Sequence, residues 1–185
     1  HRGHQALLAG IKEKARAQGA KLAVVTFVPH PGLILHPKEN FLLNSYEERR
    51  VLLAAQGVDC LWELEFNRDF STLSPEQFLK GHILRFPGVK GLYLGHDFSF
   101  GANKSGNEET VRHVCGPLGV EVTVLPEHRQ GEANYSSTSV RGKVHQGDVA
   151  GAAVLLGRSF FLSGRVVKGE GRGHKIGFPT ANMDY

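Results

Sequence analysis

The sequence has few of the residues that would specify a disulfide scaffold, a membrane span or a nucleic-acid surface. It has two cysteines in 185 residues, which excludes a disulfide-rich fold; both lie in apolar contexts, so we expect buried thiols in a reducing cytosol. No apolar run approaches the roughly 20 residues that a membrane-spanning helix requires, and no signal peptide is recognisable. The net charge of +4 is mild, and basic residues alternate with acidic ones. We therefore expect a cytoplasmic protein with no membrane or nucleic-acid partner.

The composition is that of a globular protein with more than one structural unit. With 41% hydrophobic and 22% charged residues, the chain can form an ordinary core. Its length suffices for one domain of about 100–150 residues and a fragment of another. After Gly157 the sequence changes from helical stretches to a strand-like run and a glycine-rich basic loop. We therefore predict one unit over residues 1–157 and another over 158–185.

Strand-like and helix-like segments alternate over the first unit. This alternation is typical of βαβ units, so we predict an α/β fold whose parallel sheet is flanked by helices. A run at 160–168 is predicted to be an antiparallel strand. The predicted strands of the first unit are 21–28, 58–66, 90–95 and 120–125. The predicted helices are one that ends before Gly19, 45–55, one that begins after the capping residue Ser74, 108–118, 138–145 and 147–156.

The first residues of the chain, HRGH, have the pattern of a phosphate-binding turn that opens a helix. His1 and His4 share one helical face, and Gly3 lets a ligand approach the backbone. Amide groups and the positive end of the helix dipole point the same way, which favours a triphosphate. The pattern also implies a motif that begins upstream. Taken alone it has other readings, namely a chance pair, a tag remnant or two ligands of an incomplete metal site.

A second phosphate-binding pattern, YSSTSVR, occupies residues 135–141. Ser137 and Thr138 offer hydroxyl and amide groups at a predicted helix start. Arg141 follows one helical turn after Thr138, so its guanidinium could reach the same anion. The alternative is an ordinary helix cap with a solvated arginine.

Two further segments follow predicted strands at the edge where parallel sheets bind ligands. An aromatic ligand could stack on Phe98 or Phe100 while Asp97 holds its polar edge. The alternatives are a rigid loop with a surface histidine at His30 and a phenylalanine that belongs to the core. The candidate residues are Pro29, His30, Pro31, Asp97 and Phe100.

Near its end the chain has a glycine-rich basic loop at 169–177. Thr180 and Asn182 follow it, and this arrangement could hold nucleotide phosphates and Mg²⁺.

In their order and spacing these motifs resemble those of the prokaryotic bifunctional riboflavin kinase/FAD synthetase family. The matching adenylyltransferase segments are HRGH at 1–4, TFVPHP at 26–31, FNRDFSTLSPEQFL at 66–79, GHDFSFG at 95–101 and YSSTSVR at 135–141. GEGRGHKIGFPTAN at 169–182 resembles the start of the kinase domain. The resemblance implies a Rossmann-like nucleotidyltransferase domain over 1–157 that lacks its first strand. It also implies that 158–185 are the first part of a β-barrel riboflavin kinase domain.

The resemblance also implies the activity and the roles of the candidate residues. The first unit would transfer AMP from ATP to FMN, giving FAD and pyrophosphate, in a family that also phosphorylates riboflavin to FMN. ATP, FMN and riboflavin would be the substrates and Mg²⁺ the cofactor. The implied catalytic residues are His1, His4 and Arg141, and the implied ATP-binding residues are Gly3, Ser137, Thr138 and Arg141. The implied flavin-binding residues are Pro29, His30, Pro31, Asp97 and Phe100. Thr180 and Asn182 would bind Mg–ATP in the kinase unit, with Thr180 as the metal ligand.

Some features depart from the family pattern. Val28 stands where the family often has aspartate, the upstream half of the first motif is absent, and the sequence stops at Tyr185. From these residues alone we expect no riboflavin kinase activity, and weak or absent adenylyltransferase activity unless further residues precede His1 in the protein. The alternatives are another HxGH nucleotidyltransferase, acting on a pantetheine, pyridine or choline phosphate, and a non-catalytic fragment that binds flavin or nucleotide. The sequence does not predict the oligomeric state.

Overall fold

The fold is of the α/β class, with parallel strands and flanking helices. The computed structural model describes residues 1–36, 42–96, 98–126, 129–130 and 133–184, and of 129–130 and 133–134 it describes the backbone alone. Its helices are α1 (Arg2–Ala17), α2 (Pro31–Leu35), α3 (Tyr46–Ala55), α4 (Arg68–Ser71), α5 (Pro75–Phe78), α6 (Glu108–Cys115), α7 (Ser137–His145), α8 (Val149–Leu156) and α9 (Arg172–Lys175). Its strands are β1 (Ala23–Val28), β2 (Cys60–Glu65), β3 (Gly91–Gly95), β4 (Glu121–Leu125), β5 (Arg129–Gln130), β6 (Ala133–Asn134), β7 (Arg165–Val167) and β8 (Asn182–Asp184).

The strands predicted for the first unit are confirmed, and they are parallel. β1 pairs with β2 from Ala23 opposite Cys60, and β3 pairs with β4 from Gly91 opposite Glu121. In the described residues these strands form separate two-stranded sheets rather than one continuous sheet. The pairs β5–β6 and β7–β8 are antiparallel.

Alternate side chains of the strands face opposite helical layers. Val24 of β1 and Tyr93 of β3 pack beside buried residues of α1, whereas Val25 and Leu94 pack in the cluster that contains Val111 of α6. Successive side chains of a strand point to opposite faces, so neighbouring residues of β1 and β3 reach different helices. Both parallel pairs therefore lie between α1 on one side and α5 and α6 on the other.

The longest helix, α1, carries the HRGH turn at its start. It has 16 residues and buries Leu8, Ile11 and Ala15. Gly19 follows it with a φ of +59°, as predicted for a glycine that ends a helix in the left-handed conformation. Among the described helices, none is both long and apolar enough to cross a membrane.

Local capping signals located several helix starts correctly. Ser74 and Gln77 form the predicted capping box, and Ser45 forms a second one with Glu48. The predicted helix 108–118 is α-helical only to Cys115 and continues as a short 3₁₀ turn. The break follows from Pro117, which has no N–H to donate to an α-helical turn.

The predicted strand at 160–168 is wrong over most of its length, since only β7 is a strand. Phe160 instead packs against the cluster that contains Tyr135 and Val140. The N–H of Ser163 donates to a carboxylate oxygen of Glu48 at 2.8 Å rather than to a neighbouring strand. Long-range partners in the first unit therefore displace strand pairing. The boundary near Gly157 stays a prediction.

The prediction that both cysteines are buried is right for one of them. Cys115 is fully buried, and burial raises the pKa of its thiol. Cys60 is only half-buried. Both are free thiols, so neither fixes the fold covalently.

Val111, which is 0% exposed, tests the described core. Val111→Ala should lower the free energy of unfolding by about 2 kcal/mol, because it removes buried methyl groups and leaves a cavity. The melting temperature should fall by about 4–8 °C. Val154→Ala is the matched control, since Val154 is 61% exposed and its loss should change stability by less than about 0.5 kcal/mol. Equal melting temperatures for the two variants would contradict this packing.

Candidate nucleotide-binding site

The HRGH turn is ordered by its own histidines. His1 is the N-cap of α1, and its Nδ1 accepts the N–H of His4 at 3.3 Å. The two rings stack with their centroids 3.9 Å apart. An imidazole nitrogen that accepts a hydrogen bond carries no proton, so neutral His1 has its proton on Nε2. The turn therefore offers an N–H donor beside the first amide groups of α1.

Gly3 brings the two predicted phosphate-binding segments together. A Cβ atom at Gly3 would lie 3.0 Å from the carbonyl oxygen of Tyr135 and 3.1 Å from Nδ1 of His1. The side chain of Gln5 fastens the same end of α1 by donating to the carbonyl of Leu156 at 2.7 Å. The HRGH turn consequently lies against the residue that leads into α7, so closely that a Cβ atom at Gly3 would require its neighbours to shift by a few tenths of an ångström.

The Ser/Thr-rich segment forms the start of α7. Ser136, which sequence reasoning did not single out, is the N-cap, and its Oγ accepts the N–H of Ser139 at 3.1 Å. Ser137 and Thr138 occupy the first turn, where backbone N–H groups have no partner within a helix. Val140, at 0% exposure, anchors the helix in the core. The predicted helix start is confirmed, and anion binding there stays a prediction.

His30 lies within electrostatic reach of the same helix. Its Nδ1 accepts the N–H of Gly32 at 3.0 Å, and its backbone N–H donates to Oη of Tyr46 at 2.9 Å. Burial, then the Arg141 guanidinium, and then Arg49 lower the pKa of His30. The charge of Arg141 in α7 thus acts on the His30 ring. At neutral pH His30 is therefore a neutral imidazole next to cationic groups.

Tyr46 and Arg49 are site residues that the sequence reasoning missed. The guanidinium of Arg49 lies over the Tyr46 ring, 4.9 Å from its centroid. It donates to the carbonyl of Phe27 at 3.3 Å and to Oε1 of Glu63 at 2.9 Å. These partners belong to β1 and β2, so α3 joins the ends of both strands to the His30 loop. No local pattern indicates these contacts, because the run YEERR has the composition of a solvated helix start.

Arg158 is a further cation near the HRGH turn. Arg158 directly follows Gly157, where a Cβ atom would lie 3.2 Å from Cγ of Arg2 in the turn. The guanidinium of Arg158 also lies 4.7 Å from the Phe161 ring centroid. The surroundings of the turn are therefore cationic, which suits a polyanion.

The segment after β3 presents aromatic rings at the carboxyl edge of the strands. Phe100 packs against Phe78 at 5.7 Å between centroids, and Phe98 stacks on Phe100 at 5.1 Å. Phe98 is 38% exposed and is the more accessible ring. Asp97 lies outside the described residues. A cavity of about 420 Å³ opens here, lined by Leu94, His96, Phe98, Glu108, Arg112 and Val124 among others.

Thr180 and Asn182 form a separate group with the glycine-rich loop. A Cβ atom at Gly173 would lie 2.9 Å from Oγ1 of Thr180, and one at Gly169 would collide with the Asn182 amide. The loop thus closes tightly on the two predicted Mg–ATP residues. Among the described residues, no group of at least three His, Cys, Asp and Glu side chains could hold a metal ion.

Two family models match the chain in succession. The FAD synthetase family model matches residues 1–139, and the riboflavin kinase family model matches residues 156–185. The first match contains the HRGH turn, the His30 loop and the start of α7. The second contains Thr180 and Asn182.

Curated relatives match almost the whole chain. The bifunctional riboflavin kinase/FMN adenylyltransferase of Escherichia coli (strain K12) is 36% identical over 184 residues, covering 99% of this chain and 59% of that protein. The Bacillus subtilis (strain 168) protein of the same description is 35% identical over 188 residues, covering 99% and 58%. The chain thus spans less than two thirds of the length of these relatives. The crystal structure of a macrolide-efflux protein from Streptococcus pneumoniae matches with a TM-score of 0.84 and 31% identity, covering 100% of this chain and 60% of that one.

The electrostatic contact between His30 and Arg141 can be measured directly. In an NMR titration the pKa of His30 should lie below its usual 6.5. Arg141→Gln should raise that pKa, because removing a nearby positive charge makes protonation easier. Arg112→Gln is the control, since Arg112 is paired with Glu108 on α6. A His30 pKa that Arg141→Gln leaves unchanged would show that the two segments are not neighbours.

Proposed function

Because this chain belongs to the FAD synthetase family, we propose that it is an FMN adenylyltransferase, which transfers AMP from ATP to FMN and releases pyrophosphate. The observation that carries the proposal is the close approach of Gly3 and Tyr135. The carbonyl oxygen of Tyr135 lies 3.0 Å from the position that a Cβ atom at Gly3 would occupy. Through this contact two helix starts, each of a phosphate-binding type, converge on one place. A triphosphate needs such a pair of anion sites.

The proposed triphosphate site uses both helix starts and the arginine that follows. His1 and His4 would donate to the α-phosphoryl oxygens as negative charge develops there. Ser137, Thr138 and the guanidinium of Arg141 would hold the β- and γ-phosphates and the leaving pyrophosphate. Gly3 would let the phosphates approach the backbone of α1.

The reaction requires no protein nucleophile. An ionised oxygen of the FMN phosphate attacks the α-phosphorus of ATP and forms the new P–O bond. The bond from that phosphorus to the oxygen bridging to the β-phosphate breaks, and pyrophosphate leaves with the electron pair. A phosphate monoester has a second pKa near 6, so at neutral pH no side chain has to remove a proton first. The protein therefore contributes in-line positioning and charge stabilisation.

The flavin would be held by the two strand-end segments. The loop with Pro29, His30 and Pro31 is fixed by Tyr46, and His30 would present an Nε2–H donor. The ring system would lie against the aromatic pair Phe98 and Phe100, with Asp97 at its polar edge as the sequence predicts. These segments flank the carboxyl ends of parallel strands, where α/β folds bind ligands.

Mg²⁺ fits the donors that are present if the substrate supplies most of its ligands. Mg²⁺ keeps several waters and is commonly bound by substrate phosphates with few protein oxygens. The Thr180 hydroxyl would serve as such an oxygen for Mg–ATP in the kinase segment, beside Asn182. The ion would offset phosphate charge. We propose riboflavin phosphorylation as the reaction of the longer protein, and the cytoplasm, which holds ATP and keeps thiols reduced, as its compartment.

His4 provides the first test of the adenylyltransferase proposal. The chain is incubated with FMN, ATP and Mg²⁺, and FAD is measured by chromatography. His4→Ala should lower kcat by about 100- to 1000-fold, as expected for the loss of one preorganised donor to a developing charge. His113→Ala is the matched control, because His113 is an exposed histidine on α6.

FMN binding, followed by quenching of flavin fluorescence, separates binding from turnover. FAD formation that persists at the wild-type rate in His4→Ala would refute the role of the turn. A chain that neither binds FMN nor forms FAD would refute the proposed function. Conversion of a pantetheine, pyridine or choline phosphate with no FMN binding would assign the site to another nucleotidyltransferase.

A further inference from the structure

Glu48 is a buried carboxylate that the chemistry above does not use. It is 6% exposed, and no other charged side chain among the described residues is buried. Its Oε2 accepts the N–H of Ser45 at 2.8 Å, which completes the capping box at the start of α3. A helix cap is normally exposed to water, so capping alone does not explain why this carboxylate is buried.

The other oxygen of Glu48 holds a distant part of the chain. Oε1 accepts the N–H of Ser163 at 2.8 Å and also the Ser163 hydroxyl. Burial raises the pKa of Glu48, but the hydrogen bonds from Ser163 and Ser45 outweigh it and keep that pKa below its usual value. The carboxylate is therefore charged at neutral pH and is satisfied by both segments together.

Ser163 belongs to a segment, residues 158–163, which we name the strap. The strap lies between α8 and β7, within the residues that the riboflavin kinase family model matches. Phe160 of the strap packs in the cluster with Tyr135 and Val140, at the start of α7. Arg158, at the other end of the strap, interacts electrostatically with Glu48. The strap thus contacts the start of α7 and the first turn of α3.

The first turn of α3 is the same turn that holds the His30 loop. Tyr46, two residues before Glu48, accepts the backbone N–H of His30 at 2.9 Å. Arg49, the next residue, binds the end of β1. A change that loosens Glu48 would therefore release the turn that carries both contacts.

We propose that Glu48 is a positioning residue, which uses the strap to fix the first turn of α3 and, through Tyr46, the flavin-binding loop at His30. The inference rests on the proposed function, because it assigns the His30 loop to FMN. It links the kinase-side segment to the flavin end of the adenylyltransferase site. The strap then helps to position the flavin-binding loop of the first unit, in addition to connecting α8 to β7.

Kinetics of the full chain test this positioning. Glu48→Gln keeps the side-chain shape but removes the charge, so the KM for FMN should rise by about tenfold, as for a weakened charge-assisted hydrogen bond. The KM for ATP and kcat should stay within about twofold, since the phosphate-binding residues are unchanged. Ser163→Ala should give a smaller rise, because the backbone N–H still donates, and Ser163→Thr should restore the wild-type value. The double variant Glu48→Gln/Ser163→Ala should have the same KM for FMN as Glu48→Gln alone.

Glu47→Gln is the matched control. Glu47 is the preceding carboxylate of the same helix turn, with a side chain 77% exposed, and its replacement should leave every constant unchanged. A KM for FMN that is the same in Glu48→Gln and Glu47→Gln overturns the inference, while wild-type FAD formation would still support the proposed function.

Trypsin cleavage tests the strap without relying on activity. Arg158 is the first residue of the strap and Arg165 follows the strap, so cleavage after these two residues, followed by mass spectrometry, reports its release. Glu48→Gln should accelerate these cleavages by about tenfold relative to cleavage after Lys104. Equal rates in Glu48→Gln and wild type overturn the inference. If the wild-type chain binds no FMN, the proposed function fails while this experiment still shows whether the strap is held.

Discussion

The close approach of Gly3 to the Tyr135 carbonyl is the constraint on which the candidate site depends. It sets the start of α1 against the residue that leads into α7, so that two positive helix ends share one region. Such an arrangement is unfavourable by itself, because like partial charges converge and Arg141 adds another positive charge. Buried contacts elsewhere offset that repulsion, notably those of fully buried Val140 and the bond from Gln5 to the Leu156 carbonyl. The core therefore holds in place a charge arrangement that a bound polyanion would relieve.

The other half of the site depends on α3, a helix whose sequence looks unremarkable. Its first two turns carry Tyr46, Glu48 and Arg49, and each contacts a different part of the chain: the His30 loop, Ser163, and the ends of β1 and β2. The attraction within a partly buried ion pair is stronger than in water because the local dielectric constant is lower, and the pair is stable provided that each charge has a partner. Glu63 meets this condition by pairing with Arg49 and Arg50 at 2.9 and 2.6 Å. The polar network fixes a geometry that apolar packing would leave less defined.

Patterns within short stretches of sequence predicted most helices and strands, whereas contacts between distant residues could not be predicted. Buried strands such as β1 follow from continuous apolar runs, and the cap at Ser74 follows from residues within one turn, so both could be predicted from sequence. The strand predicted at 160–168 failed because Phe160 packs against the cluster that contains Tyr135 and Val140, and because Ser163 bonds to Glu48, which is 115 residues away. The motifs located the HRGH turn, the start of α7 and the His30 loop, because each is a short run with its own chemistry. Tyr46, Arg49 and Arg158 enter the site only through the fold, and no local pattern distinguishes them from solvated charges.

The site combines cationic groups with neutral hydrogen-bond donors, and this combination suits adenylyl transfer. Nδ1 of His1 and Nδ1 of His30 each accept a backbone N–H, which leaves Nε2–H as the donor of each neutral ring. Burial and the nearby arginines lower the pKa of His30 and keep it neutral. A neutral donor can stabilise charge that shifts between phosphates without holding pyrophosphate as tightly as another cation would. Arginine contributes a constant attraction for the polyphosphate. The imidazoles contribute hydrogen bonds of defined direction. A reaction whose net charge changes little needs both.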